Sequence, residues 1–441
     1  MQFGPQIAGR ISRSRIWKMI KYFLYFFLGF KAASSFPLPT NNTQCYINNP
    51  AVQRFREYVQ IDTSKPENLE KAVAFWSRQA VELGLVFEVH RSEGLPIGVM
   101  TWPGVDPSLP SIMLNSHMDV VPVDEEFWKY PPYSAHMEDN GNIYGRGTQD
   151  CKDVTIQYVE AIRRLKNNNV TLKRTVHVTL MPDEETGGFN GMAKFVKRIE
   201  FKQLNVGFAF DEGLASPDEN MLLTYQDKRP WQIKITVKGL GGHGSSLSDG
   251  SAVQKLQRIM DAIGKYRDSQ KKISNEQSIP DAGAYDSVNI NIIKTGIAEN
   301  VMPEKGYLVV DIRLAVSKSV DEMQQLVDSW IAEGGNGTEA KYLRRVEVSD
   351  ATPTDLSRPY MQAIQEAAKE MNISIVPVLC PAASDMIILR SLGIPALGFA
   401  PKTYTPSRIH TSNEYLNAGT LLRGIDVYVN LLQKLGNLNK L

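Results

Sequence analysis

The sequence has few cysteines, no excess of either charge and no long hydrophobic run. Its three cysteines, Cys45, Cys151 and Cys380, form no C-x-x-C pair among the 441 residues, which excludes a disulfide framework and a cysteine-based zinc or redox motif. The 49 basic and 48 acidic residues give a formal charge of +1, so no nucleic-acid partner is expected. The length indicates about two or three folded domains.

The longest apolar run before residue 45 extends only from Tyr22 to Phe30. Basic residues precede it and small residues follow, which is the order of a secretory signal. A helix that spans a bilayer takes about 20 residues, so no stable membrane span is expected. We predict a signal peptide over residues 1–34 and a glycoprotein that is secreted or resides in the secretory-pathway lumen; a retained basic leader on a cytoplasmic protein is the alternative. N-x-[ST] sequons that fit secretion lie at Asn41, Asn169, Asn336 and Asn372.

Beyond the leader, apolar runs alternate with helical patterns, which is typical of an α/β fold with a mostly parallel sheet. Residues 111–116, 175–181 and 205–210 are predicted strands. One helix face is marked by apolar side chains at spacings of three and four, namely Val154, Tyr158, Ile162 and Leu165. This α/β part is predicted to cover residues 45–225 and 348–441.

The pattern changes near residue 226. Residues 231–237 alternate between apolar and polar, which favours a sheet with one solvated face. Two helix patterns and two further strands follow, at 251–269, 287–293, 307–314 and 319–333. We therefore predict an inserted β-α-β-β-α-β module over residues 226–347.

Residue types that bind metals follow each of the three predicted α/β strands. They are His117 and Asp119 after the first, Glu184 and Glu185 after the second, and Glu212 after the third. The carboxyl ends of parallel strands line one crevice, so these side chains are expected to converge. Asp150 directly precedes a predicted helix that begins near Cys151. Taken alone, Asp150 would be an ordinary N-cap of that helix.

Together these residues suit a pair of zinc ions about 3.5 to 4 Å apart, which needs two ligands for each ion and one shared carboxylate. His410, in a loop before the last helix, supplies a second imidazole. His117 with Asp119 two residues later fits a ligating histidine whose tautomer is fixed by a carboxylate. Of the adjacent Glu184 and Glu185, one can bind metal while the other faces the activated water.

Seven motifs, in this order, resemble the di-zinc aminoacylase and carboxypeptidase family. They are Ser116-His-Met-Asp119, Gly145-Arg-Gly-Thr-Gln-Asp150, Pro182-Asp-Glu-Glu-Thr-Gly-Gly188, Phe210-Asp-Glu-Gly213, Gly242-His-Gly-Ser245, Asn300-Val-Met-Pro303 and His410-x-x-x-Glu414. The resemblance covers about residues 47–435. It implies a zinc-peptidase-like α/β fold, a mostly parallel sheet flanked by helices, with an inserted ferredoxin-like α+β dimerisation (satellite) domain.

The resemblance implies two Zn²⁺ per subunit. Asp150 would bridge the two ions. His117 and Glu212 would also hold one of them, and Glu185 and His410 the other. A cis peptide bond would follow the bridging Asp150.

The resemblance also implies the roles of the residues that do not bind metal. Glu184 would be the general base, and Asp119 would orient His117. His243, contributed across the interface of a homodimer, would stabilise the oxyanion. Asn300 and Arg313 would bind the substrate, with Arg313 holding its α-carboxylate; from the strand pattern alone, Arg313 would be an exposed charge on the sheet.

The implied activity is zinc-dependent hydrolysis of N-acyl-L-amino acids to a carboxylate and a free L-amino acid, by metal-activated water. A carboxy-dipeptidase of the same family is the closest alternative. A binding protein without turnover is disfavoured because the set of candidate residues is complete. A thiol hydrolase built on Cys151 is disfavoured because the surrounding carboxylates would raise the pKa of the thiol.

Several residues depart from the family pattern or lie outside it. Asn413 and Gly244 stand where the family commonly has aspartate and alanine. Among the other histidines, His90 and His136 are predicted to be solvated, and His177, within a strand pattern, to be structural.

Overall fold

The computed structural model describes residues 46–275 and 283–441. The predicted signal peptide and the sequon at Asn41 lie outside the described residues, whereas Asn169, Asn336 and Asn372 are exposed. Within the described part of the chain, none of the helices combines the length and apolar character needed to cross a membrane.

Helices and strands alternate along the described chain. The helices are α1 (Pro50–Val59), α2 (Leu69–Leu83), α3 (Lys152–Asn167), α4 (Met192–Phe195), α5 (Ile199–Gln203), α6 (Ala252–Asn275), α7 (Val320–Glu333), α8 (Pro359–Met371), α9 (Met386–Ser391) and α10 (Ala418–Gly436). The strands are β1 (Val86–Ser92), β2 (Leu95–Trp102), β3 (Ser111–His117), β4 (His136–Met137), β5 (Asn142–Tyr144), β6 (Val176–Met181), β7 (Val206–Asp211), β8 (Asn220–Asp227), β9 (Arg229–Lys238), β10 (Gly242–His243), β11 (Ser287–Thr295), β12 (Val301–Met302), β13 (Lys305–Leu314), β14 (Thr338–Arg345), β15 (Ser374–Cys380), β16 (Ala396–Phe399) and β17 (Tyr415–Asn417).

The larger sheet has eight strands in the order β1-β2-β6-β3-β7-β16-β8-β15. The pairs β3–β6, β3–β7, β7–β16 and β8–β15 are parallel. The predicted mostly parallel sheet is therefore confirmed, with antiparallel pairs on either side of its parallel centre.

The centre of this sheet is buried on both faces. Every residue of β3 and β6 is buried, and successive side chains of β3 enter different hydrophobic clusters. Ile112 and Leu114 join the cluster formed with α1, α2, α3, α8 and α10, whereas Met113 joins the one that includes α4 and α9. Continuous apolar strands are thus explained by helices on both faces of the sheet.

The helix that follows the predicted ligand Asp150 packs closely against the last helix. All four predicted face residues of α3 are fully buried, and its Tyr158 meets Tyr428 of α10 edge to face at 4.7 Å between ring centroids. Gly424 of α10 permits this approach, since a Cβ there would lie 2.3 Å from the side-chain nitrogen of Gln157. This close packing holds α3 in place, and α3 directly follows the loop that contains Asp150.

The inserted module forms a separate four-stranded antiparallel sheet in the order β11-β13-β9-β14. With α6 and α7 it has the predicted β-α-β-β-α-β succession and a ferredoxin-like strand order. Trp231, Ile233, Ile235 and Val237 are fully buried in the cluster shared with these helices. The polar residues between them lie on the opposite face, as the period-two pattern predicted.

Candidate metal centre

Three neighbouring strands of the larger sheet end at the candidate site. His117 is the last residue of β3, Glu212 directly follows β7, and Glu184 and Glu185 lie in the turn after β6. Because β6, β3 and β7 are adjacent and parallel, their carboxyl ends bring these side chains together.

Asp150 lies between the two imidazoles. Its Oδ1 is 3.1 Å from His117 Nε2, and its Oδ2 is 3.2 Å from His410 Nε2. The peptide bond from Asp150 to Cys151 is cis, as the resemblance implied. The N-cap of α3 is Cys151, one residue later than the sequence placed it, and the Asp150 carboxylate faces the two histidines instead of capping the helix.

A further carboxylate lies beside each imidazole. Glu212 Oε2 is 3.6 Å from His117 Nε2, and Glu185 Oε2 is 3.0 Å from His410 Nε2. The other oxygen of Glu185 is buried and accepts no hydrogen bond from the described residues. The arrangement offers two groups of ligand atoms that share Asp150, so the side chains fit a pair of divalent cations.

Asp119 fixes His117 through its main chain. His117 Nδ1 is 2.8 Å from the Asp119 carbonyl oxygen, which can only accept a hydrogen bond, so Nδ1 carries the proton and Nε2 is left for a ligand. The Asp119 carboxylate is farther away, with Oδ1 3.7 Å from Nδ1. The main-chain carbonyl of Asp119 therefore orients His117, whereas the sequence pattern favoured the Asp119 carboxylate.

The Asp119 carboxylate instead holds the turn that carries both glutamates. Its Oδ1 accepts the backbone N–H of Glu184 at 3.2 Å, and its Oδ2 accepts that of Glu185 at 3.1 Å. The turn closes through a hydrogen bond from Gly187 N–H to the Glu184 carbonyl at 2.7 Å. Asp119 thereby positions the two adjacent carboxylates at once.

Burial and like charge dominate the electrostatics of the site. Burial, then the charge of Glu212, raises the pKa of Glu184 well above its usual range. Burial alone would raise the pKa of Asp150, but hydrogen bonds from His117 and His410 hold it well below its usual range. Hydrogen bonds to Asp150 and Glu185 raise the pKa of His410 to about 10. The crowded carboxylates carry a negative charge that bound cations would offset.

Glu414, which has no role predicted from the sequence, is fully buried beneath the loop that carries Asp150. It accepts hydrogen bonds from Arg146 Nη1 at 2.8 Å and from the backbone N–H of Gly147, Gln149 and Asp150 at 3.1, 2.6 and 3.3 Å. Both Arg146 and Glu414 lie in recognised motifs. Their pairing, across 268 positions, leaves no signal in a single sequence.

Asn413 joins the loop of His410 to a neighbouring segment. Its side-chain oxygen accepts the backbone N–H of Lys129 at 2.6 Å, and its side-chain nitrogen donates to the Phe127 carbonyl at 3.2 Å. An amide can make both bonds, whereas an aspartate can only accept. Its φ of 60° is also one that asparagine tolerates better than most residues. Asn413 is therefore suited to this position despite its departure from the family pattern.

The three predicted residues of the inserted module lie apart from this cluster. His243 is exposed, and its Nδ1 lies 2.8 Å from Ser245 Oγ. Asn300 lies beside it, because the Asn300 carbonyl accepts the N–H of Gly244 at 2.8 Å. Arg313 pairs with Asp311 on its own strand, at 2.7 Å from Nε to Oδ1. Among the described residues, no hydrogen bond or ion pair links these three side chains to the predicted metal ligands.

The remaining cysteine and histidine candidates have structural surroundings. Cys151 is fully buried, with Sγ 3.8 Å from the His117 carbonyl, and burial raises the pKa of its thiol well above the usual range. His177 is buried and bonded to Thr101 Oγ1 at 2.9 Å. His136 is exposed and stacks on Tyr130, whereas His90 is half-buried beside Phe195.

Comparison with known proteins places this geometry in context. The sequence model of Peptidase family M20/M25/M40 matches residues 113–434. Aminoacylase-1 from Mus musculus is 40% identical over 391 residues, which are 88% of this chain and 96% of the relative. Aminoacylase-1 from Homo sapiens is 39% identical over 393 residues, with the same two coverages.

Solved structures share the fold at low sequence identity. Human carnosine dipeptidase 1 superposes with a TM-score of 0.72 at 15% identity, over 91% of this chain and 100% of that one. An M20 family metallo-carboxypeptidase from Sulfolobus solfataricus has a TM-score of 0.72 at 18% identity, over 88% and 99% of the two chains.

Proposed function

Since the chain belongs to Peptidase family M20/M25/M40 and is a hydrolase of amide bonds, we propose that it hydrolyses N-acyl-L-amino acids with two zinc ions and Glu184 as general base. The resemblance seen in the seven sequence motifs is confirmed at the level of the family. The substrate class is supported by the aminoacylase-1 relatives, which align along almost their whole length.

The position of Asp150 between His117 and His410 carries this proposal. Each carboxylate oxygen of Asp150 faces a different imidazole, as a ligand shared by two cations requires. His117 and Glu212 would complete one site, and Glu185 and His410 the other. Nitrogen and carboxylate ligands of this kind suit zinc.

Glu184 is the carboxylate left over for proton transfer. When bound, zinc would lower the pKa of a water molecule and polarise the carbonyl of the amide. Glu184 would take a proton from the attacking water and pass it to the leaving amine. Asp119 would keep Glu184 in place through the turn.

His243 is proposed to act on the substrate of the partner subunit in a homodimer. It is exposed on the inserted module, and among the described residues its imidazole is hydrogen-bonded to Ser245 and not to a proposed metal ligand. Apolar side chains are exposed on the same module: Leu247, Ile292, Ile293 and Ile297 are 100%, 43%, 53% and 88% accessible. Exposed apolar residues on one module favour a protein interface. Asn300, which lies beside His243, would enter the partner's site with it.

A substrate comparison tests the proposed activity. The purified protein, loaded with zinc, is assayed with N-acetyl-methionine and with dipeptides such as carnosine. We expect kcat/KM to be higher for N-acetyl-methionine by at least about tenfold, because both substrates carry an α-carboxylate but only the dipeptide brings a charged amino group into the acyl site, where it would lack a partner. Faster hydrolysis of the dipeptides would identify a carboxy-dipeptidase instead, and no hydrolysis of either would reject the proposed activity.

The secretory location is a separate proposal and depends on residues 1–34. Their basic, apolar and small-residue order supports a cleaved signal. Expression of the full chain in eukaryotic cells, followed by amino-terminal sequencing of the protein in the medium, tests it. We expect a mature terminus near residue 35 and glycan at one or more exposed sequons; an intact, unglycosylated intracellular chain would refute it.

A further inference from the structure

Arg344 extends from the inserted module toward the catalytic part of the chain. It lies on β14 opposite Gln232 of β9, which in turn lies opposite Asp311 of β13. The register of β14 shifts between Tyr342 and Arg344, so Leu343 is an extra residue in the strand. A bulge of this kind redirects the next side chain, and such bulges occur often beside active sites.

The guanidinium of Arg344 is adjacent to the turn that carries the general base. A Cβ built on Gly187 would lie 3.2 Å from both Cζ and Nε of Arg344. Gly187 is bonded to the Glu184 carbonyl in that turn, and it has a φ of 112°, which favours glycine. The absence of a side chain at Gly187 thus leaves room for Arg344 beside the turn that carries Glu184.

Arg344 is buried, and its guanidinium forms no salt bridge with a described residue. Only 9% of the residue is exposed, and its Nε is buried without a hydrogen bond to any described residue. Its Cζ atom lies 6.0 Å from the centroid of the Phe189 ring. Burying an unpaired guanidinium is costly. A ligand that supplies the missing anion would remove that cost.

Arg313, unlike Arg344, forms an ion pair within the inserted module. Its Nε and Nη2 donate to the two oxygens of Asp311, at 2.7 and 3.2 Å. Asp311 also accepts Gln232 Nε2 at 3.0 Å. Arg313 is therefore already ion-paired within its own sheet, whereas Arg344 forms no ion pair with any residue that the structure describes.

We propose that Arg344 binds a carboxylate of the substrate directly and so determines the preference of the enzyme for anionic substrates. This inference rests on the proposed hydrolysis of N-acyl amino acids and adds a residue to its substrate site. The guanidinium would donate two parallel, charge-assisted hydrogen bonds to the oxygens of the carboxylate. The anion is the α-carboxylate or a carboxylate on the amino-acid side chain, and the ligands used in the test separate these two sources.

Binding is measured by calorimetry on the zinc-loaded E184Q variant, in which substrates should remain intact. The ligands are N-acetyl-methionine, N-acetyl-glutamate and the uncharged N-acetyl-methioninamide. R344M keeps the length of the side chain and removes the charge, and R344K keeps a charge without the fork. R345M is the matched control, because Arg345 is the next residue and pairs with Glu347 instead.

Adding R344M should raise the Kd of at least one of the two acids by about 10- to 100-fold and leave that of N-acetyl-methioninamide unchanged. A similar rise for both acids assigns the α-carboxylate, and a rise confined to N-acetyl-glutamate assigns the side-chain carboxylate; either supports the proposal. R344K should have a smaller effect, and R345M none. An unchanged Kd for both acids, or an equal rise for the amide, would overturn it. Turnover by the wild type is assayed separately, so failure of the proposed activity is distinguishable from failure of this inference.

Discussion

Glu414 Oε1 accepts the backbone N–H of Asp150 at 3.3 Å, beneath the residue whose carboxylate faces both imidazoles. The same carboxylate accepts hydrogen bonds from the guanidinium of Arg146 and from two other backbone N–H groups of the loop. Asp150, the proposed shared ligand, is thus held in place by the buried ion pair of Arg146 and Glu414. Its geometry depends on a residue that would never contact the metal.

Replacing Glu414 should therefore weaken metal binding without removing a ligand. E414Q places an amide N–H among the N–H donors of the loop and leaves the charge of Arg146 buried and unpaired. We expect zinc affinity to fall about 10- to 100-fold and the free energy of unfolding to fall by about 3–5 kcal/mol. Chelator competition and denaturant titration measure the two quantities. E366Q, at an exposed position of α8, is the control; wild-type zinc affinity in E414Q would contradict the role given to Glu414.

Asp119 should affect turnover more than metal content. In D119N the main-chain contact with His117 is kept, but the new amide N–H meets the backbone N–H of Glu184 or Glu185. A displaced turn should lower kcat about 10- to 100-fold, with a smaller loss of bound zinc because Glu185 lies on the same turn. Steady-state kinetics and metal analysis of D119N are compared with those of D124N, in an exposed segment. Loss of zinc in proportion to kcat would show that Asp119 supports the ligands instead of the base.

His177 should contribute to the pH dependence of stability. Burial lowers its pKa from 6.5 to about 4, so between these values the unfolded chain binds the additional proton. The stability that neutral His177 provides is complete above pH 6.5 and is lost as the pH falls toward 4. From pH 7 to 5, the wild type should lose about 2 kcal/mol more unfolding free energy than H177Q. Urea titrations at both pH values test this, and parallel losses in the two proteins would refute it.

The proposed sharing of a site between subunits can be tested with hybrid dimers. E184Q and H243A should each be inactive as homodimers. A hybrid contains one site with both Glu184 and His243 intact, so random mixing should restore about a quarter of wild-type activity. Activity is assayed after co-expression with two affinity tags. No recovery in purified hybrids would mean that His243 does not act across the dimer.

The place of the candidate site in the fold could largely be predicted from local patterns of apolar and polar residues. The three strands that end at the site were predicted to within one residue of β3, β6 and β7, because their apolar runs are bounded by polar residues. The inserted module was predicted from period-two alternation, as in the buried and half-exposed residues of β9. Adjacent parallel strands then bring His117, Glu184 and Glu212 to one edge, a consequence of topology alone.

Other contacts could not be predicted, because they join distant segments through single side chains. Arg146 and Glu414 are 268 positions apart, and each alone has the appearance of an ordinary loop charge. Arg344 lies in a strand whose exposed pattern resembles a solvated sheet face, and only the bulge and the three-dimensional neighbours reveal its burial. Periodicity describes which face is buried, but it does not identify the partner of a charged group.

The proposed hydrolysis requires that this chain holds two metal ions and uses Glu184 as the base. Metal analysis of the purified wild type and E184Q, combined with hydrolysis of N-acetyl-methionine by the same samples, tests it most directly. We predict about two zinc ions per chain in both proteins, with turnover lost only in E184Q. Near wild-type turnover by E184Q, or an active wild type without bound divalent metal, would contradict the claim.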